Sequence, residues 1–113
     1  MAKEKLDALD KYIASKVCRK FDPRITRQQI MIEPIFVASW GAHDWAGINE
    51  DYLVFKVNGR LHKGFVIITL NGMDTYDIHL VTKDFDLVGE ATTDIYEDQL
   101  VYVLDNLIET PEK

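Results

Sequence analysis

Two indoles, an imidazole and a carboxylate fall within seven residues of this chain, in Ser39-Trp-Gly-Ala-His-Asp-Trp45. Arranged around a bend that Gly41 permits, these types suit recognition better than bond-making. Trp40 and Trp45 are the kind of rigid, amphipathic side chain that anchors protein interfaces. His43 and Asp44 add polar contacts, and loops carry binding groups more often than cores do. The competing reading is that both indoles cover a sheet and that Gly41 merely allows the turn. A second candidate surface is the anionic side of the last helix, where Asp98, Asp105 and Glu109 fall together.

The other reactive residue types do not assemble into a catalytic pattern. Asp74 and Asp77 invite a carboxylate site, but they are an odd number of residues apart and so point to opposite sides of a strand. A hairpin with Asp74 at its shoulder is the simpler reading. His43, His62 and His79 are too scattered for a linear metal motif, and Cys18, the only cysteine, cannot complete a zinc site. They read as solvated or singly hydrogen-bonded histidines. Ser15 and Ser39 lack a nucleophile elbow, Cys18 has no activating histidine nearby, and neither Walker spacing nor Gly-x-Gly-x-x-Gly occurs. No cofactor and no metal are expected.

At 113 residues the chain is read as one domain, residues 1–113, with room for a single modest core. Its composition, 47% hydrophobic and 28% charged, is ordinary for a globular protein. There is no run of roughly 18 apolar residues of the kind that spans a membrane, and the opening residues lack an apolar signal core. Together with a lone cysteine and no Asn-x-Ser/Thr acceptor, this predicts a cytoplasmic protein without a membrane partner. The net charge of −6 disfavours nonspecific nucleic-acid binding, yet residues 1–27 hold eight basic groups against four acidic ones and so carry +4.

The elements that position these residues follow from periodicity. Leu6, Leu9, Ile13 and Val17 mark one face of an amphipathic helix from about Lys3 to Lys20, within an N-terminal helical segment at 1–22 that Asp22-Pro23 ends. Thr26 and Gln29 suggest a capping box and a short helical turn before Pro34. A sheet is expected over 34–92. Its first strand is Ile35 to Trp40, its loop Gly41 to Asp51, and three antiparallel strands lie between Tyr52 and Leu80. A short edge strand, Leu87 to Thr92, follows.

The turns are read as a three-residue loop at Asn58 to Arg60, matching Val57 with Leu61 and Leu53 with Phe65, and a two-residue Asn71-Gly72 turn, matching Phe65 with Ile78. That register gathers Leu53, Phe55, Val57, Leu61, Phe65, Ile67, Tyr76, Ile78 and Leu80 on one face. Asp94 with Glu97 predicts a closing helix over 94–109, its stripe formed by Tyr96, Leu100, Val103, Leu104 and Leu107. The fold class is α+β: an N-terminal helix, a four- or five-stranded antiparallel meander, and a C-terminal helix packed on the sheet.

Gly41-Ala42, the strand at Leu53 to Val57 and the string ITLNGMDTYD from Ile68 to Asp77 together resemble a pattern in small uncharacterised proteins of bacteriophages and mobile elements. In those proteins a polar residue, Asn and Phe follow Gly-Ala, whereas here His43-Asp44-Trp45 stands. The long N-terminal helix is not part of the resemblance, which implies the sheet and a mobile-element origin but no activity. The function expected is that of a noncatalytic interaction or accessory protein whose partner is another protein, a second copy of the chain included. Its binding groups are Trp40, His43, Asp44, Trp45, Asp98 and Asp105. The alternative is a nucleic-acid-associated protein using the basic N-terminal helix or the aromatic loop.

Overall fold

The apolar string Phe65-Val-Ile-Ile-Thr-Leu70 is buried at nearly every position, not at alternate ones. A strand can do this only when both faces of its sheet are covered. The computed structural model, which describes residues 2–16, 20–32, 34–48 and 50–108, shows how. Strands β1 (His43–Ile48), β2 (Tyr52–Asn58), β3 (Lys63–Leu70), β4 (Tyr76–Val81) and β5 (Thr92–Ile95) form one antiparallel sheet in sequence order. Helices α2 (Pro23–Met31), α3 (Pro34–Trp40) and α4 (Leu100–Ile108) cover one face, where Ile30, Val37, Trp40, Leu100, Leu104 and Ile108 meet Leu53, Phe55, Val66, Ile68 and Ile78. Helix α1 (Ala2–Lys16) lies on the other and closes a smaller cluster of Leu9, Ile13, Ile67 and Val81. The α+β class therefore stands. No described helix is long and apolar enough to cross a membrane.

The register differs from the one expected. Between β3 and β4 the pairs are Leu70↔Tyr76, Ile68↔Ile78 and Phe65↔Val81, an odd shift from the predicted pairing. Phe65 and Ile78 consequently sit on opposite faces, and the proposal of one shared face for them fails. The cause lies in Asn71. It does not occupy the left-handed position of a two-residue turn; its backbone N–H donates to the Thr75 carbonyl at 2.8 Å and extends the ladder. Its Oδ1 accepts from the backbone N–H of Met73 and Thr75 and from the Thr75 hydroxyl. The loop is Gly72-Met73-Asp74, and Asp74 takes the left-handed conformation (φ 67°) that closes a three-residue hairpin. Asn71→Ala should lower stability by about 1–3 kcal/mol, because buried Thr75 and Asp77 lose partners together. The urea midpoint of the variant measures this.

The first hairpin is also shifted, with Leu53↔Ile68, Phe55↔Val66 and Asn58↔Lys63. Gly59 N–H donates to the His62 carbonyl, so the tip is Arg60-Leu61. The backbone N–H groups of Leu61 and His62 both reach the carbonyl of Ile108 at the end of α4 (2.8 and 3.2 Å). A helix leaves its last carbonyls without internal donors, and here a hairpin tip supplies them. Leu61, expected in the core, is 55% exposed as a result. Leu53, Phe55, Val57, Tyr76, Ile78 and Leu80 keep their common face, but Val66, Ile68 and Leu70 join them in place of Phe65 and Ile67.

Local propensity is overruled at several other points. Residues 34–40 form α3, not the first strand, so the sheet begins at His43 and the predicted loop 41–51 contains β1. Pro34 suits a first helical turn, and Val37 and Trp40, one turn apart, are the residues α3 buries. Asp22-Pro23 starts α2 where a stop was expected: the Asp22 carboxylate accepts from Arg24 N–H, and Pro23 occupies N1. Thr26 is no cap; its buried hydroxyl meets the Tyr76 phenol at 3.0 Å. Lys20 is already non-helical, and the expected Val17 and Cys18 positions lie outside the described residues. The edge strand falls at Thr92–Ile95; of the predicted 87–92 segment, Thr92 opens it, Leu87 forms a bridge with Val81, and Val88 N–H donates to the Leu80 carbonyl. Asp94 belongs to that strand with φ 61°, and its N–H donates to Asp77, so the closing helix starts later than 94 and leaves Tyr96 exposed.

Candidate functional site

The six residues singled out by sequence do not form one surface. Trp40 has no exposed area at all, and its indole Nε1–H donates to Asp105 Oδ1 at 2.9 Å. A tryptophan buried among Ile30, Phe55 and Leu104 needs an acceptor for that proton, and Asp105 supplies it from α4. Two proposed partner-binding groups therefore satisfy each other inside the fold. Asp98 is exposed on the helical turn that precedes α4. Glu109 lies outside the described residues.

Gly41, at φ 65°, turns the chain from α3 into β1, and the strand is then irregular. The pairs His43↔Lys56 and Ala46↔Val54 require one extra residue in β1, and Asp44 takes φ 56° there. Such a bulge breaks the two-residue alternation. It sends His43 to the α1 side, beside Lys56, and Trp45 to the opposite side, flat against Phe55 with centroids 4.1 Å apart. Two shallow clefts result, one on each face of this sheet edge.

The cleft beside Trp45, about 480 Å³, is bounded by Pro23, Arg24, Arg27, Glu50 and Leu53. The Arg27 guanidinium lies 5.3 Å from the centroid of the indole, a cation–π distance. Arg24 is held by Asp22, whose carboxylate this hydrogen bonding keeps below its ordinary range. Arginine and carboxylate charges balance in this cleft.

The cleft on the α1 side, about 430 Å³, is formed by His43, Lys56, Asn58, Gly64, Phe65 and Lys83. Lys56 Nζ stands 5.6 Å over the Phe65 ring and 3.5 Å from Asp44 Oδ2. His43 hydrogen-bonds through Nδ1 to the Gly41 carbonyl at 2.7 Å, which leaves Nε2 directed to Asp44 at 4.0 Å. Sequence reasoning found His43 and Asp44 but missed Lys56, Phe65 and Lys83, which only strand pairing and the turn after β4 bring together.

His79 was expected to be solvated or singly bonded. It is 1% exposed, with its ring between the Thr69 hydroxyl (3.0 Å) and the Tyr12 phenol (3.4 Å) of α1. Burial lowers its pKa to about 4, with Lys16 acting in the same direction and Asp77 against it. Among the described residues no group of three or more His, Cys, Asp or Glu side chains is placed to hold a metal ion.

A different surface emerges at the corner of the helical layer. Ile35 is 82% exposed, Ile32 67%, and Met31 and Tyr102 are exposed too, with the Phe36 and Tyr102 rings in edge contact at 5.9 Å. Ile25 lies two turns before Ile32 in the α2 segment and is also exposed. No protein-family model, curated protein or solved structure matches this chain.

Proposed function

We propose that this chain is a noncatalytic protein-interaction or accessory protein, and that its partner surface is the apolar corner made by α2, α3 and α4. The exposure of Met31, Ile32, Ile35 and Tyr102 on this helical layer, with Tyr102 in contact with Phe36 of α3, carries the reading. Single exposed apolar residues are commonplace; a contiguous group with an aromatic member marks an interaction site. The partner is a protein, with a second copy of the chain as the first to test. A mobile-element origin belongs to the same reading and rests on the resemblance over residues 41–77.

Light scattering of the purified chain, run beside affinity capture from the source cell, tests it. Self-association or a captured protein that disappears in Ile32→Asp/Ile35→Asp, with urea stability unchanged, is the expected result. Binding that survives the double variant places the interface elsewhere. A strictly monomeric chain that captures nothing sinks the reading.

Arg27 over Trp45 favours a second reading, in which the aromatic cleft stacks single-stranded nucleic acid. It is the weaker one, because Arg24 and Lys20 are engaged by Asp22 and Asp51 and Glu50 borders the cleft. Affinity for a labelled single strand should then fall steeply with salt. A flat response removes this reading.

A further inference from the structure

In a chain with 19 acidic and 13 basic side chains, one cleft brings two lysines and a histidine together, with the Asp44 carboxylate at its edge. Lys56 comes from β2, Lys83 from the turn after β4, and His43 from β1, so no local charge run produced the cluster. Lys83 has no ion-pair partner among the described residues. The floor is the Phe65 ring, backed by Phe85 at 5.5 Å in a stacked arrangement, and Asn58 adds an amide. Gly64, at φ 145°, lets this wall pack directly on the backbone of Val81 and Thr82, where a Cβ would collide.

The Asp44 carboxylate engages two of these groups. From a left-handed position at a strand bulge, it is set 3.5 Å from Lys56 and 4.0 Å from His43. Its carboxylate stands where an incoming anion would meet Lys56 and His43.

We propose that this cleft binds a small anion carrying a flat apolar group, either an aryl phosphate or an aryl carboxylate. The anionic head meets Lys56, Lys83 and His43, and the flat group lies on Phe65. Charge-assisted contacts of this kind are the stronger hydrogen bonds, and an apolar wall with a few converging polar groups is the ordinary design of a small-ligand site. Asp44 acts as an internal competitor. The site faces the α1 side of the sheet and is independent of the apolar corner on the helical layer.

Amide-resolved NMR titration with phenyl phosphate, benzoate and inorganic phosphate tests the proposal. Saturable shifts at His43, Lys56, Gly64 and Lys83 are expected for at least one aryl anion, and the tighter of the two identifies the head group. Lys56→Gln/Lys83→Gln, at exposed positions that leave the fold intact, should weaken binding about tenfold or more, and Asp44→Asn should tighten it. Three results overturn the proposal: no saturation by either aryl anion up to about 10 mM, affinity indifferent to the lysine replacements, or inorganic phosphate binding as tightly as phenyl phosphate.

Discussion

Lowering the pH from 7 to 4 is expected to remove about 3 kcal/mol of stability through His79 alone. The imidazole has a pKa near 4 in the folded chain against 6.5 for an exposed histidine. Between those values the unfolded state binds a proton that the native state refuses. Stability is therefore complete above pH 6.5, declines as the pH falls towards 4, and loses nothing further through this group below that. The native ring is neutral because it is buried and because hydroxyls, which donate or accept equally well, are its hydrogen-bonding neighbours. Asp77 offers partial compensation to the protonated ring and Lys16 opposes it.

Tyr12 ties His79 to α1, and that helix touches the sheet through the small Leu9, Ile13, Ile67 and Val81 cluster. Local opening of α1 is the least costly way to hydrate a charged His79. On acidification, hydrogen exchange should speed up in α1 before it does in α4. Urea midpoints between pH 4 and 7.5 measure the whole effect, and His79→Gln should flatten that slope relative to the parent. An identical slope in the variant would falsify the assignment to His79.

Trp40→Ala should cost about 3–5 kcal/mol, a large fraction of the 5–15 typical of a domain. The indole is wholly enclosed between α3, α4 and the sheet, and little of its space can collapse without moving α3. Trp40→Phe keeps most of the apolar contact but removes the Nε1–H donor to Asp105, and should cost about 1–3 kcal/mol. Combining Trp40→Phe with Asp105→Ala, which removes the acceptor, in a double-mutant cycle isolates the bond itself. Denaturant unfolding of the four proteins provides the measurement. Were Trp40 an exposed anchor for a partner, as its neighbourhood in the sequence suggests, Trp40→Ala would leave the urea midpoint nearly unmoved and weaken association instead.

The contrast between Trp40 and Trp45 shows how far the sequence could be read. Both were visible as large aromatics on either side of a glycine, but their burial depends on α4 and β2, which are distant in sequence. Asp105 looked like part of a solvated acidic face because nothing in α4 indicates that an indole from residue 40 arrives beside it. Lys56 and Lys83 were unremarkable for the same reason. The exposure of Ile35 was concealed because it opens the apolar run Ile35 to Trp40, which reads as a strand.

Hydrophobic periodicity and turn residues were enough to establish the α+β class, the first helix, the antiparallel ribbon from β2 to β4 and a closing helix, because those signals are local. Which side of the sheet each residue occupies was decided by tertiary structure. The Asn71 side chain rebuilt one hairpin, the end of α4 captured the tip of the other, and a bulge at Asp44 parted His43 from Trp45. Side chains alternate along a strand, so an odd shift in any turn exchanges every face beyond it. The contacts that set those turns come from parts of the chain that no neighbouring residue reveals.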